Sequence, residues 1–145
     1  MHAPDQAALL QLHCETPIDK LRLRSDASYF QIILNNLINN ALTYSSPGST
    51  VMLRVRQFAS EQGAPMVQFA VSNVTGAAGQ PDPVKVFERY YRSPTASGIA
   101  GTGLGLWLSQ QLAERLGTKI ELTLEAERVV FWFALSADGK GATSA

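Results

Sequence analysis

The sequence has little of three features that would place it in a specialised class of protein. It contains one cysteine in 145 residues, so an internal disulfide framework is excluded, and Cys14 is expected to be a small core hydrophobe. It has no apolar run near the ~20 residues of a membrane span and no signal-peptide pattern at its start. Its 12 Lys and Arg residues balance its 12 Asp and Glu residues, which argues against a surface for nucleic acid or an anionic membrane. The composition therefore indicates a globular domain without direct membrane contact.

The length and the mixture of local patterns predict one domain of the α+β class. Residues 1–15 are assigned to an N-terminal extension or first strand, 16–135 to the folded domain, and 136–145 to a disordered tail. Strands and helices follow one another without strict βαβ alternation. This order predicts a two-layer α/β sandwich, with a mixed, mainly antiparallel sheet backed by about three helices.

Hydrophobic spacing predicts the individual elements. Apolar residues recur at helical intervals from Phe30 to Tyr44, in a helix that Asp26 or Ser28 can cap. Alternating apolar residues predict two antiparallel hairpins. Gly117 is suited to end the last helix in a left-handed conformation. The remaining predicted segments are an extended opening over 7–23, strands over 51–55, 67–71, 119–124 and 129–135, helices over 84–91 and 104–116, and a loop over 73–83.

A glycine run before the last helix is the most informative motif of the chain. It reads Gly101-Thr102-Gly103-Leu104-Gly105-Leu106 and leads directly into an amphipathic segment. Alternate glycines expose backbone N–H groups, and a helix N-terminus adds unpaired donors and the positive end of a dipole. The run therefore predicts an anion site that suits the phosphates of a nucleotide.

Four asparagines in the first helix form the second informative pattern. Asn is a poor helix former, so four of them in two turns require a reason. Asn36 and Asn40 border the apolar stripe, whereas Asn35 and Asn39 lie nearly opposite it. One interpretation is that amide oxygens at the border help to hold Mg²⁺, which prefers hard oxygen ligands. The other is that these side chains bond to nearby backbone or loop groups.

Three motifs in order resemble the catalytic, ATP-binding domain of sensor histidine kinases, within the GHKL (Bergerat-fold) group of ATP-binding proteins. Residues 36–45 resemble the N box, Val86–Arg92 the F box, and Gly101–Leu106 the second glycine box. The resemblance covers about residues 16–135. It implies a Bergerat fold, ATP and Mg²⁺ as cofactors, and a cytoplasmic location as part of a membrane-bound sensor.

The resemblance also implies roles for single residues. Asn40 corresponds to the Mg²⁺ ligand and Asn36 to its partner one turn earlier. Tyr44 corresponds to an aromatic residue near the nucleotide, and Arg92 to an arginine that reaches the γ-phosphate. The cofactor-binding set that it implies is Asn36, Asn40, Tyr44, Asn73, Gly101, Thr102, Gly103, Leu104, Gly105 and Leu106, with residues 93–100 as the ATP lid.

The identity of residue 36 bears on the reaction. In the ATP-hydrolysing relatives of this group, a glutamate usually stands at this position and activates water. Asn36 cannot accept that proton, so water attack would lack its base. The site therefore favours phosphoryl transfer, in which positioning and charge neutralisation supply most of the catalysis.

The sequence departs from the family pattern at the first glycine box and near the phosphates. Asn73 stands where the family has an aspartate that accepts a bond from the adenine amino group. Its amide oxygen can still accept, at a cost on the order of 1 kcal/mol from the lost charge. The two glycines of that box become Thr75 and Ala77, with glycines displaced to 76 and 79. Thr43 stands where a lysine is frequent.

Neither His2 nor His13 has the sequence context of a phosphoacceptor helix. By the resemblance, the chain transfers the γ-phosphoryl group of ATP to a histidine on a separate dimerisation domain, from which a response regulator receives it. Two alternatives remain. One is a degenerate GHKL module that binds nucleotide and only regulates a partner. The other is a stand-alone anti-sigma-type protein-serine kinase, against which Asn36 counts.

Overall fold

The computed structural model describes residues 9–14, 26–76, 80–88 and 105–137. Five strands form one sheet in the order β1-β2-β3-β5-β4, and β1 is parallel to β2 while the other pairs are antiparallel. Two helices lie within the described residues, where the sequence predicted about three. The elements are β1 Leu9–Cys14, α1 Ala27–Tyr44, β2 Thr50–Ala59, β3 Pro65–Val74, α2 Gly105–Arg115, β4 Glu121–Glu125 and β5 Arg128–Ser136.

Helix α1 begins and packs as its sequence predicts. Of the two candidate caps, Asp26 is the one used, because its carboxylate accepts from the backbone N–H groups of Ser28 and Tyr29. The buried side chains on the helix are Ile33, Leu37 and Ala41, spaced four apart on one face. The apolar stripe therefore holds α1 against the sheet.

The helices cover one face of the sheet. Along β3 and β5 every second side chain is buried, as the alternation of a sheet with one packed face requires. Phe30 of α1 meets Phe69 of β3 at 4.9 Å between ring centroids, and Phe69 stacks on Phe133 of β5 at 5.4 Å. This aromatic cluster joins the two layers of the predicted sandwich.

The predicted helix over 84–91 is a single turn in its described part, 84–88, and residues 89–91 lie outside it. Asp82 caps the turn, and its carbonyl accepts from the N–H of Val86 at 2.9 Å. The N–H of Glu88 then bonds to the carbonyl of Lys85, only three residues back, at 2.9 Å. Val84 is 84% exposed, whereas Val86 is buried and Phe87 packs against the core, so these two side chains hold the single turn in place.

The ends of the predicted domain also take shape in the structure. Cys14 ends β1 and packs against the core, as expected for a small hydrophobe. At the other end, Ser136 closes β5, and the buried Ala137 donates its N–H to the carbonyl of Pro65. The sheet region therefore extends two residues into the segment predicted as tail, and residues 138–145 lie outside the described part of the chain.

Candidate functional site

One row of side chains along α1 forms the centre of the candidate site. Asn36, Asn40 and Tyr44 follow each other at intervals of four, so they lie along one side of the helix. All three are half-buried, whereas Asn35 and Asn39 are exposed. The predicted division of the asparagines into a pair at the border of the core and a solvent-facing pair is confirmed.

The start of α2 lies beside the first residue of this row. Asn36 donates its Nδ2 to the hydroxyl of Ser109 at 3.0 Å and to the carbonyl of Gly105 at 3.4 Å. A Cβ placed on Gly105 would lie 4.0 Å from Cγ of Asn36. The end of the glycine run and the asparagine helix therefore meet, although they are 69 residues apart in sequence. The neighbouring Leu106 packs against the core.

The end of β3 lies beside the last residue of the row. The backbone N–H of Gly76 donates to the carbonyl of Tyr44 at 3.1 Å, and Ser45 forms an isolated bridge with Thr75. Asn73, on the same strand, is 4% exposed. The site is therefore bounded by β3 at one end of the α1 row and by α2 at the other.

The buried amide of Asn73 has a fixed orientation. Its Nδ2 donates to the carbonyl of Val74 at 3.1 Å, and its Oδ1 accepts no hydrogen bond from the described residues. A hydrogen-bond donor placed beside this buried acceptor oxygen would be favourable, because satisfying a buried polar atom avoids a cost of roughly 1–3 kcal/mol. Asn73 thus offers a neutral acceptor where the family pattern has a carboxylate.

Close packing accounts for the displaced glycine at position 76. A Cβ added to Gly76 would lie 2.7 Å from the carbonyl oxygen of Tyr44 and 2.8 Å from that of Ser45. Only glycine fits at this approach of the chain to the end of α1. Residue 75 instead uses its side chain, because the hydroxyl of Thr75 donates to the carbonyl of Glu127 at 3.1 Å.

The structure places six of the predicted site residues on α1, at the end of β3 and at the start of α2. They are Asn36, Asn40, Tyr44, Asn73, Gly105 and Leu106. The other predicted site residues lie outside the described part of the chain, as do the predicted lid over 93–100 and the altered first glycine box beyond residue 76. They are Arg92, Gly101, Thr102, Gly103 and Leu104.

Asn36 and Asn40 differ in their hydrogen bonds, which bears on the two interpretations of the asparagines. Asn36 bonds to a backbone carbonyl and a hydroxyl of α2, as expected if the asparagines bond to nearby groups of the protein. Asn40 is half-buried, and its amide makes no hydrogen bond within residues 9–14, 26–76, 80–88 and 105–137. The three side chains of the α1 row are uncharged, so the oxygen atoms that they offer to a ligand carry no formal charge.

Sequence reasoning missed Ser109, which is fully buried against Asn36. The signal was present, because Ser109 lies four residues after Gly105 and therefore on the same side of α2. The sequence alone does not reveal the role of a serine in that position, because its partner lies on the other helix. The partner of Ser109 is 73 residues away in sequence.

No group of three or more His, Cys, Asp or Glu side chains in the described segments could hold a metal ion by itself. Neither described helix has both the length and the apolar character needed to cross a membrane.

Residues 25–143 match the family described as histidine kinase-, DNA gyrase B-, and HSP90-like ATPase. The sensor protein IrlS of Burkholderia pseudomallei is 31% identical over 121 residues, which are 81% of this chain and 25% of IrlS. The chain thus spans about a quarter of the length of that relative.

Solved structures share the fold. The catalytic domain of the histidine kinase ThkA has a TM-score of 0.69 at 23% identity, over 89% of this chain and 78% of that one. Full-length ShkA in complex with AMPPNP has a TM-score of 0.68 at 22% identity, over 94% of this chain and 27% of that one. With the fold, the α1 row and the family match in agreement, the chain belongs to the histidine kinase-, DNA gyrase B- and HSP90-like ATPase family, whose fold is the predicted α+β sandwich.

Proposed function

We propose that this chain is the Mg–ATP-binding catalytic domain of a sensor histidine kinase. In this proposal it transfers the γ-phosphoryl group of ATP to a histidine on a separate dimerisation domain, and a response regulator accepts the group next. The observation that carries the proposal is the row Asn36, Asn40 and Tyr44, which spans about 12 Å of α1. The row lies between a buried acceptor on β3 and the start of α2.

The two ends of the row suit the two ends of a nucleotide. Oδ1 of Asn73 is a buried acceptor that can receive the adenine amino group. Gly105 begins α2, where unpaired N–H groups and the helix dipole favour phosphate. ShkA, which shares this fold, was solved with the ATP analogue AMPPNP. The base is accordingly expected near β3 and the phosphates near α2.

The donor set fits Mg²⁺. This ion binds oxygen and usually takes only one or two protein ligands, with water and substrate phosphates as the others. The Oδ1 atom of Asn40 would be its protein ligand, with Asn36 one turn away. The bound ion would neutralise negative charge on the phosphates. Arg92 and the glycines of residues 101–105 are proposed to add donors there, as the family resemblance implies.

The chemistry of Asn36 favours transfer over hydrolysis. An amide cannot take a proton from water, and the Nδ2 of Asn36 is engaged with Ser109 and Gly105. The attacking group must therefore come from another molecule or segment. His13 does not fit this role, because it is exposed and pairs with Arg54 on the side of the sheet opposite the core.

A regulatory module that binds nucleotide without transfer is the second candidate. It is favoured by Asn73, which has no charge to strengthen the bond to adenine. It is also favoured by Thr43, which is exposed and provides no cation for the phosphates.

We further propose that the domain acts on the cytoplasmic side of a membrane-bound sensor, as the relatives that are sensor proteins suggest.

The test mixes this chain with the histidine-bearing dimerisation domain of its own sensor, Mg²⁺ and γ-labelled ATP. Acid-labile, base-stable label on that domain is the expected result, since phosphohistidine has this stability. The control is the same mixture with Asn40→Ala, which should leave the acceptor unlabelled. ATP binding without any transfer would favour the regulatory module, and label on serine of a partner would favour the anti-sigma-type kinase.

A further inference from the structure

Ser109 occupies the interface between α1 and α2. It is fully buried, with 0% of its surface exposed. Its hydroxyl oxygen lies 3.0 Å from Nδ2 of Asn36. Serine is a mediocre helix former, so the interior of α2 gains nothing in intrinsic propensity from it. Among the described residues, Asn36 is the hydrogen-bond partner of this hydroxyl.

The surroundings determine which way the Asn36 amide faces. The carbonyl of Gly105, 3.4 Å from Nδ2, can only accept a hydrogen bond. Turning the amide over would place Oδ1 against that carbonyl, with two acceptors facing each other. The preferred orientation therefore has Nδ2 towards α2 and Oδ1 away from it. Within the described residues Oδ1 of Asn36 accepts no hydrogen bond, so none of those residues competes with a ligand for it.

We propose that Ser109 is a positioning residue for the nucleotide site, because it holds the Asn36 amide with its acceptor presented to the bound ligand. This inference rests on the proposed function. The carbonyl of Gly105 selects the orientation, and the hydroxyl of Ser109 holds the amide in it. A side chain that is already fixed loses less conformational entropy when the ligand binds, so pre-positioning raises affinity.

The first test measures Mg–ATP affinity by calorimetry in Ser109→Ala, Asn36→Ala and the double variant. Ser109→Ala is expected to weaken binding about fivefold, the effect of one ordinary hydrogen bond. In the Asn36→Ala background the same substitution should have no further effect, because the group that it positions is gone. Purely structural damage from Ser109→Ala would instead lower the affinity by the same factor in both backgrounds.

The second test observes the Asn36 side chain directly in the nucleotide-free protein. In Ser109→Ala the side-chain NH₂ resonances of Asn36 should shift and sharpen, while those of the exposed Asn39 stay unchanged. Ser60→Ala is the matched control, because it also removes a serine hydroxyl that accepts one hydrogen bond, from the N–H of Ala64 at 3.1 Å. That control lies in the turn between β2 and β3 and should alter neither the Asn36 signals nor the affinity.

The outcomes separate the two proposals. If the wild type binds Mg–ATP and Ser109→Ala binds it equally well, the positioning role is overturned while the proposed function stands. The positioning role is also overturned if the loss of binding free energy in the double variant equals the sum of the losses in Ser109→Ala and Asn36→Ala. If the wild type binds no nucleotide, the proposed function fails. In that case unchanged Asn36 resonances in Ser109→Ala would also refute the contact itself.

Discussion

At the scale of single residues, Asn39 and Asn40 show how one position along a helix changes a side chain's chemistry. Both are asparagines in the middle of α1, and a rotation of about 100° separates them. Asn39 faces solvent, whereas Asn40 is half-buried in the row with Asn36 and Tyr44. The pair therefore provides a test with an internal control, since both substitutions change the intrinsic helix propensity equally.

We expect Asn40→Ala to abolish Mg²⁺-dependent nucleotide binding while the fold stays intact. The substitution removes the proposed protein ligand to Mg²⁺, and replacing Asn by Ala improves helix propensity by a few tenths of a kcal/mol. Calorimetric titration with ATP, with and without Mg²⁺, measures the loss. Asn39→Ala should bind as the wild type does. Unchanged affinity in Asn40→Ala would remove this residue from the site.

At the scale of elements, two contacts place the site. The segment after β3 passes so close to the end of α1 that residue 76 has no room for a side chain. Helix α2 is fixed to the start of β4 by Gln110, whose amide both donates to the carbonyl of Ile120 at 3.0 Å and accepts from its N–H at 2.8 Å. The first contact holds the segment after β3 against α1, and the second holds α2 against the sheet.

Gly76→Ala is expected to destabilise the protein and to weaken nucleotide binding. Its Cβ would overlap the carbonyl oxygens of Tyr44 and Ser45, so the end of α1 must move. Gly63→Ala is the control. A Cβ at this position meets nothing within 4 Å, so the only cost of the substitution is the strain of an alanine at a φ of +82°. That strain costs roughly 1–2 kcal/mol. Urea unfolding should give the larger loss for Gly76→Ala, and a loss no greater than that of Gly63→Ala would contradict the packing argument.

Gln110→Ala should lower the free energy of unfolding by roughly 2–3 kcal/mol. The substitution leaves the buried N–H and carbonyl of Ile120 without their partner, and unsatisfied buried groups cost about 1–3 kcal/mol. The neighbouring Gln111 is exposed, so Gln111→Ala should be within about 0.5 kcal/mol of the wild type. Chemical denaturation measures both, and similar values for the two variants would show that the contact does not hold α2.

At the scale of the whole molecule, the site and the core belong to the same packed unit. Helix α1 carries the core residues Ile33, Leu37 and Ala41 on one face and the Asn36–Tyr44 row beside them. A ligand that bridges α1, α2 and the end of β3 would therefore resist separation of the layers. Ligand binding should consequently raise the free energy of unfolding of the whole domain.

Mg–ATP is expected to raise the free energy of unfolding by about 2.7 kcal/mol at a concentration 100 times its Kd. For a chain of this length such a gain corresponds to a rise in Tm on the order of 5–10 °C. Thermal unfolding monitored by circular dichroism measures it, with ATP without Mg²⁺ and the Asn40→Ala protein as controls. An equal rise in Asn40→Ala would indicate that nucleotide binds elsewhere.

Local patterns predicted most of the elements because the forces that shape them act between near neighbours. The cap at Asp26, the helical stripe of α1 and the end of α2 before Gly117, whose φ is +80°, are all confirmed. The prediction of a short helix over 84–91 is wrong in its described part, where the chain forms a single turn that packs Val86 and Phe87 against the core. The family resemblance and the fold class are confirmed as well.

The sequence by itself determined the row of Asn36, Asn40 and Tyr44, because a period of 3.6 residues places them on one side of a helix whatever surrounds it. Only the tertiary structure decided that Ser109 and Gly105 meet Asn36, that Gly76 contacts the end of α1, and that β1 pairs parallel to β2. These contacts join residues far apart in the chain, where close packing and hydrogen-bond partners depend on how whole elements are arranged. No local pattern carries that information.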